Sequence, residues 1–207
     1  MKRLLLFIIS FFALQAYADS RSADLLTRLS SKVESYGNYE VNFSVAVQGQ
    51  RELIEGYYVV SGDRYAIEVD DKRVFSDGRV RYEIDNDYEE VVISRANPAS
   101  RNILENPAKA FSFLDGNFES VYVGAERFDG VACDIISLKP LSREFGITEI
   151  TLYIDSSATL PRGIRYRIDN SSITVTVKRF ERLAALRESV FAFDRQEYRG
   201  YEIIDFR

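Results

Sequence analysis

The side chains that could do chemistry in this sequence are two acidic runs, a short row of arginines and one thiol. Glu68-Val69-Asp70-Asp71 and Asp85-Asn86-Asp87-Tyr88-Glu89-Glu90 offer the oxygen ligands that hard cations take. Both runs fall at strand ends and turns and lack the Asp-x-Asp-x-Asp-Gly spacing of a calcium loop, so they read as solvated turns and no metal is expected. Arg162, Arg165 and Arg167 could hold an anionic group, but Arg165 and Arg167 are outward residues of an alternating strand, with water as their partner. Cys133 lies in the alternating stretch Val131-Cys133-Ile135 and reads as a small buried residue. As the single cysteine it has no intrachain disulfide partner. The chain contains no histidine, which removes the commonest general base and the commonest metal ligand. The sequence shows no Gly-x-Ser-x-Gly elbow and no Gly-rich phosphate loop. No nucleophile–base pair can be named, so neither catalysis nor a cofactor is expected.

What remains is an unusual supply of apolar faces. Tyr39, Val41, Phe43, Val45 and Val47 alternate with mostly polar residues, the signature of a half-buried strand. Similar short strands follow, separated by Gly49-Gln50, Ser61-Gly62-Asp63, Asp77-Gly78 and Asn86-Asp87, and together they read as an antiparallel meander. After an interruption the alternation resumes from Glu119 to Arg127, turns at Asp129-Gly130, and continues through Val131–Leu138, Thr148–Asp155, Ile164–Ile168 and Ile173–Val177. Phe191 and Phe193 read as a last short strand or loop, and residues 201–206 as an extended tail. Roughly eleven strands are predicted.

Two stretches have helical spacing instead. Leu25, Leu26, Leu29 and Val33 form one apolar stripe over residues 22–36, stopped by Gly37-Asn38. Asn97 to Leu114 is broken by Pro107 into two short pieces, with Ile103, Leu104, Phe111 and Leu114 on one side. So short a helix has little stability of its own and must dock on the sheet.

The N-terminus predicts export. Lys2 and Arg3 precede an apolar run to Leu14, and Ala16-Tyr17-Ala18 supplies small residues for cleavage after Ala18. The run is too short for a comfortable membrane span. The remaining 207 − 18 = 189 residues read as a single domain, 19–207, that can bury a sizeable core. Its net charge of −5 − 2 = −7 argues against a nucleic-acid footprint.

In its order of elements the chain resembles the periplasmic lipoprotein carriers of the LolA type. The residues that carry the likeness are Leu26 to Phe43, Ser76-Asp77-Gly78, the Asn97–Leu114 segment, Thr148 to Asp155, Phe191-Ala192-Phe193 and the terminal Ile203-Ile204-Asp205. The resemblance implies a mainly β fold with α: an unclosed antiparallel β-barrel with an N-terminal helix and a short helical lid over an apolar cavity. It implies a monomer that binds the acyl chains of lipoproteins, receives them from an inner-membrane release complex and hands them to an outer-membrane acceptor. Related shells carry other lipids, or act as lipid-sensing or interaction modules. The wall of the cavity is expected from Phe43, Val45, Tyr65, Ile67, Tyr82, Ile84, Ile150, Leu152, Ile154 and Tyr166. The lid is expected from Ile103, Leu104, Phe111 and Leu114. The family's lid-bonding Arg follows its second long strand; here that turn is Ser61-Gly62-Asp63-Arg64, and Arg64, displaced, is the candidate latch.

Overall fold

The computed structural model describes residues 20–98, 117–142 and 146–207. The export signal and the lid residues Ile103, Leu104, Phe111 and Leu114 lie outside the described residues. A helix, α1, covers residues 20–34. The strands are β1 (Asn38–Val47), β2 (Ile54–Ser61), β3 (Arg64–Val69), β4 (Lys72–Ser76), β5 (Val80–Asp85), β6 (Glu90–Arg95), β7 (Phe118–Phe128), β8 (Val131–Pro140), β9 (Ile147–Asp155), β10 (Pro161–Ile168), β11 (Ser171–Arg182) and β12 (Glu202–Asp205).

These twelve strands form one sheet in the order β12-β6-β5-β4-β3-β2-β1-β11-β10-β9-β8-β7. The sheet is unclosed, since β12 and β7 stand at its two ends, and it is a meander on each side of β1 and β11. The sequence predicts one strand fewer. The extra one, β12, comes from the stretch read as an extended tail; it pairs in parallel with β6 from Glu202↔Glu90 to Asp205↔Ile93. Phe191, read as strand or loop, ends a single 3₁₀ turn, Glu188–Phe191.

The turns form where the sequence places them. Asp129 (φ 47°) and Gly130 (φ 79°) both adopt positive φ, and Phe128 pairs with Val131 across them. That is a two-residue turn of the twist antiparallel strands favour. Asp77 Oδ1 accepts the backbone N–H groups of Arg79 and Val80, each at 2.8 Å, beside Gly78 at φ 90°. Asp85 and Asp155 do the same for Asp87 and Tyr88 and for Ser157 and Ala158. These acidic side chains replace lost ladder partners at strand ends.

Backbone contacts divide the chain into two compact units. The first holds α1 as far as Val33, the short piece Val47–Gly49, β7 to β10, and β11 as far as Thr176. The second holds Glu34–Ala46, β2 to β6, and the chain from Val177 to Arg207.

Candidate functional site

In the first unit the register puts Asp134, Ile136 and Leu138 of β8 opposite Ile154, Leu152 and Ile150 of β9, all on one face. Ile164 and Tyr166 of β10 face Leu152 and Ile150 and extend it. α1 starts over this face: Arg21 pairs with Asp134 at 3.2 Å, and Ser22 Oγ donates to the Ser120 carbonyl at 3.1 Å. The helical stripe meets the strands there. Leu25, Leu26, Leu29 and Val33 are buried, and Ile136, Leu138, Leu152 and Ile154 are between 0% and 2% exposed. Of the expected wall, Ile150, Leu152 and Ile154 are thus packed core beneath a helix. Tyr166 is half-buried, and burial pushes its hydroxyl well above its usual range.

The other face of this unit carries a smaller cluster of Cys133, Ile135 and Tyr153, with Phe128 and Val131 against it. The Phe128 ring stacks on Tyr153 at 4.0 Å and lies over Gly163, where an added Cβ would sit 2.3 Å from it. Burial raises the Cys133 thiol, as befits a packing residue.

The second unit is built differently. Register partners Tyr39↔Val60, Val41↔Tyr58, Phe43↔Gly56 and Val45↔Ile54 share one face of β1 and β2. β3 adds Tyr65, Ile67 and Val69 to it, and β4 adds Val74. Phe43, Val45, Tyr65 and Ile67, all expected in the wall, are therefore brought together. The tyrosines at the β1–β2 end are buried: Tyr39 4%, Tyr58 5% and Tyr65 2% exposed. Tyr39 and Tyr58 meet edge to face at 6.1 Å, and burial holds both hydroxyls far above their usual range. Beyond them Phe43, Val45, Ile54, Ile67, Val69 and Val74 are only half-buried. Phe43 lies flat over Gly56, where a Cβ would stand 2.3 Å from the ring, so the missing side chain makes its seat.

Tyr82 and Ile84 are a correction to the expected wall. Phe75↔Tyr82 and Ala66↔Phe75 set Tyr82 level with Ala66, on the side opposite Tyr65 and Ile67. Ile84 belongs to a core of Val59, Ala66, Phe75, Ile84, Val91, Ile93, Phe191 and Tyr198, and Tyr82 packs against it. The C-terminal segment roofs that side, and Tyr82 stacks between Phe75 at 5.0 Å and Phe193 at 4.8 Å. Alternation within β5 is correct; the face it presents depends on the lengths of the turns before it, which the pattern within a strand does not encode.

Arg64 also lies on the roofed side. It pairs with Glu188, donates to Ser61 Oγ at 3.1 Å and sits 4.9 Å above the Phe191 ring. These contacts tie it to the 3₁₀ turn of the C-terminal segment. This contact was missed in the sequence because Glu188 is 124 residues away; the late Phe-x-Phe was its only signal.

The half-buried face turns polar toward β5. Arg81 and Glu83 lie on it and pair at 2.8 Å, and Lys72 pairs with Asp85 at 2.6 Å at its tip. Among the described residues no group of His, Cys, Asp and Glu could hold a metal ion. No described helix is long and apolar enough to cross a membrane.

No protein-family model matches the chain, and no curated protein matches its sequence. Solved structures do match. An uncharacterized conserved protein from Thermus thermophilus aligns over 88% of this chain and 98% of its own at 9% identity, with a TM-score of 0.62. LprF from Mycobacterium bovis aligns over 82% and 97% at 13% identity, with a TM-score of 0.50. A LolA superfamily protein from Nitrosomonas europaea aligns over 84% and 98% at 10% identity, with a looser TM-score of 0.43. At such identities the likeness concerns the fold alone: a long unclosed sheet with an N-terminal helix.

Proposed function

We propose that this protein is a periplasmic carrier that binds the acyl chains of lipoproteins, or of another lipid, on the half-buried face of its second unit. It would take them from an inner-membrane release complex and deliver them to an outer-membrane acceptor. One observation carries this reading. Phe43, Val45 and Ile67 share a face on which they stay half-buried, while on the reverse of β2 and β3 Val59 and Ala66 are packed under the C-terminal segment. A contiguous apolar stretch that stays partly accessible is a candidate for cover by a ligand. The export signal read from the sequence supplies the compartment.

The energetics require partial enclosure. Each CH₂ removed from water contributes about 0.8 kcal/mol, so three chains of roughly fifteen carbons would reach about 36 kcal/mol. Non-covalent affinity saturates near roughly 18–21 kcal/mol, and a carrier holding on so tightly would never release. A face that shields part of each chain avoids this, because transfer to another apolar site is then nearly neutral.

The test is direct. Organic extracts of the purified protein should contain acyl lipid by mass spectrometry, and the lipid-free protein should enhance the fluorescence of the neutral apolar dye Nile red. Ile67→Asp should remove most of that enhancement with little change in circular dichroism. Lipid-free extracts together with no dye response in the wild type would end the proposal.

A further inference from the structure

Resting on the acyl-binding reading, we propose that Arg81 is a headgroup site and that the preferred occupant is a long-chain fatty acid, its carboxylate on Arg81 and its chain along Ile67 and Phe43. The observations lie in one cross-strand row. Tyr65↔Ser76, Ser76↔Arg81 and Arg81↔Ser94 are successive register partners across β3, β4, β5 and β6. Arg81 therefore shares the face of the apolar wall, two strands from Tyr65, or roughly 10 Å.

The guanidinium is incompletely used. Its Nη1 donates to Glu83 at 2.8 Å, but its Nε–H is sealed from water and has no hydrogen-bond partner. A buried donor without an acceptor is costly, and a ligand oxygen placed there recovers that cost. Because Nη1 is taken, the free donors are Nε and Nη2, which form one side of the planar fork. Two parallel N–H groups fit the two oxygens of a carboxylate. Ser94, half-buried on the next strand at the same register, offers a hydroxyl beside them.

Charge argues the same way. Arg81 with Glu83 is neutral as a pair, so the face has no excess positive charge for a dianion, while a single negative charge can be held by hydrogen bonds from the fork. The Arg81 side chain keeps 18% of its surface exposed, and Glu83, at 43%, is the more accessible partner, free to swing toward water. The resulting ligand is amphiphilic by construction, with an apolar tail over β1 to β3 and an anionic head at β5.

The experiment displaces Nile red from the full exported protein with hexadecanoate and with hexadecan-1-ol, which differ only in the head. Hexadecanoate should act at about a tenfold lower concentration. Arg81→Met should bring hexadecanoate to the level of the alcohol and leave the alcohol unchanged. Glu83→Gln, which frees the fork without removing it, should strengthen hexadecanoate alone, and it keeps the question decidable if Arg81→Met does not fold. Equal displacement by both probes, unmoved by either variant, would overturn the headgroup site and leave acyl binding standing. Tighter binding of hexadecyl phosphate than of hexadecanoate would overturn the carboxylate assignment. If neither probe displaces the dye and no dye binds, both readings fall together.

Discussion

The two units use the same material, an alternating sheet rich in Ile, Val and Tyr, and finish it in opposite ways. In the first, the face carrying Ile136, Leu138, Leu152 and Ile154 is closed by α1, and its side chains are packed to almost complete burial. In the second, the part of the face carrying Phe43, Val45 and Ile67 stays half-buried, and the reverse side is packed across β2 to β6, under Phe191, Phe193 and Tyr198. A strand has two faces, and what lies on each decides whether an apolar row acts as core or as surface. The contrast also explains why polar groups are tolerated where they are. Arg81 and Glu83 sit on the open face, whereas the roofed face under α1 admits Asp134 only with partners, Arg21 at 3.2 Å and the Tyr122 hydroxyl at 2.9 Å.

The largest effect should come from removing packing. Leu152→Ala in the roofed face should cost about 2–5 kcal/mol in urea unfolding, because the cavity beneath α1 cannot collapse fully. Ile67→Ala in the half-open face should cost markedly less and should weaken Nile red binding instead. Equal destabilisation by the two would erase the distinction between core and wall.

Next come the two glycines on which a phenylalanine rests. Gly56→Val and Gly163→Val place a Cβ about where the Phe43 and Phe128 rings lie, and each should cost roughly 1–3 kcal/mol. Phe43→Ala should rescue Gly56→Val in a double-mutant cycle. A cycle without coupling would show that the ring does not need the glycine.

A smaller effect should appear with alkali. Burial raises the Tyr39 and Tyr58 hydroxyls in the fold, while an unfolded tyrosine ionises near pH 10. The fold favours their neutral form, so this stability is complete below about pH 10 and is lost as pH rises beyond it. Melting temperatures from pH 9 to 11.5 should fall, and Tyr58→Phe should flatten the fall. An identical slope in the variant would remove this pair from the account.

The smallest effect is expected at Arg64. Its partner Glu188 has 82% of its side chain exposed, and pairs of that kind contribute about 0–1 kcal/mol. Arg64→Ala should therefore barely shift stability and leave Nile red binding intact. A large loss of binding would return Arg64 to a latch role.

The sequence by itself determined the elements. Alternation specified the strands, Asp-Gly and Ser-Gly-Asp specified the turns, and the stripe Leu25, Leu26, Leu29 and Val33 specified the one helix described. Those signals are local: they depend on backbone preferences and side-chain periodicity within a few residues. Only the tertiary structure decided which face each row presents and what covers it. Tyr82 and Ile84 alternate as faithfully as Tyr65 and Ile67, yet they point the other way, because register is reset at each hairpin. β12 is only four residues long, and its pairing with β6, more than a hundred residues earlier in the chain, is what makes that tail a strand. Whether an apolar row becomes core or binding wall depends on contacts between distant segments, such as Phe193 on Tyr82 or Arg21 on Asp134, and periodicity within a strand says nothing about its roof.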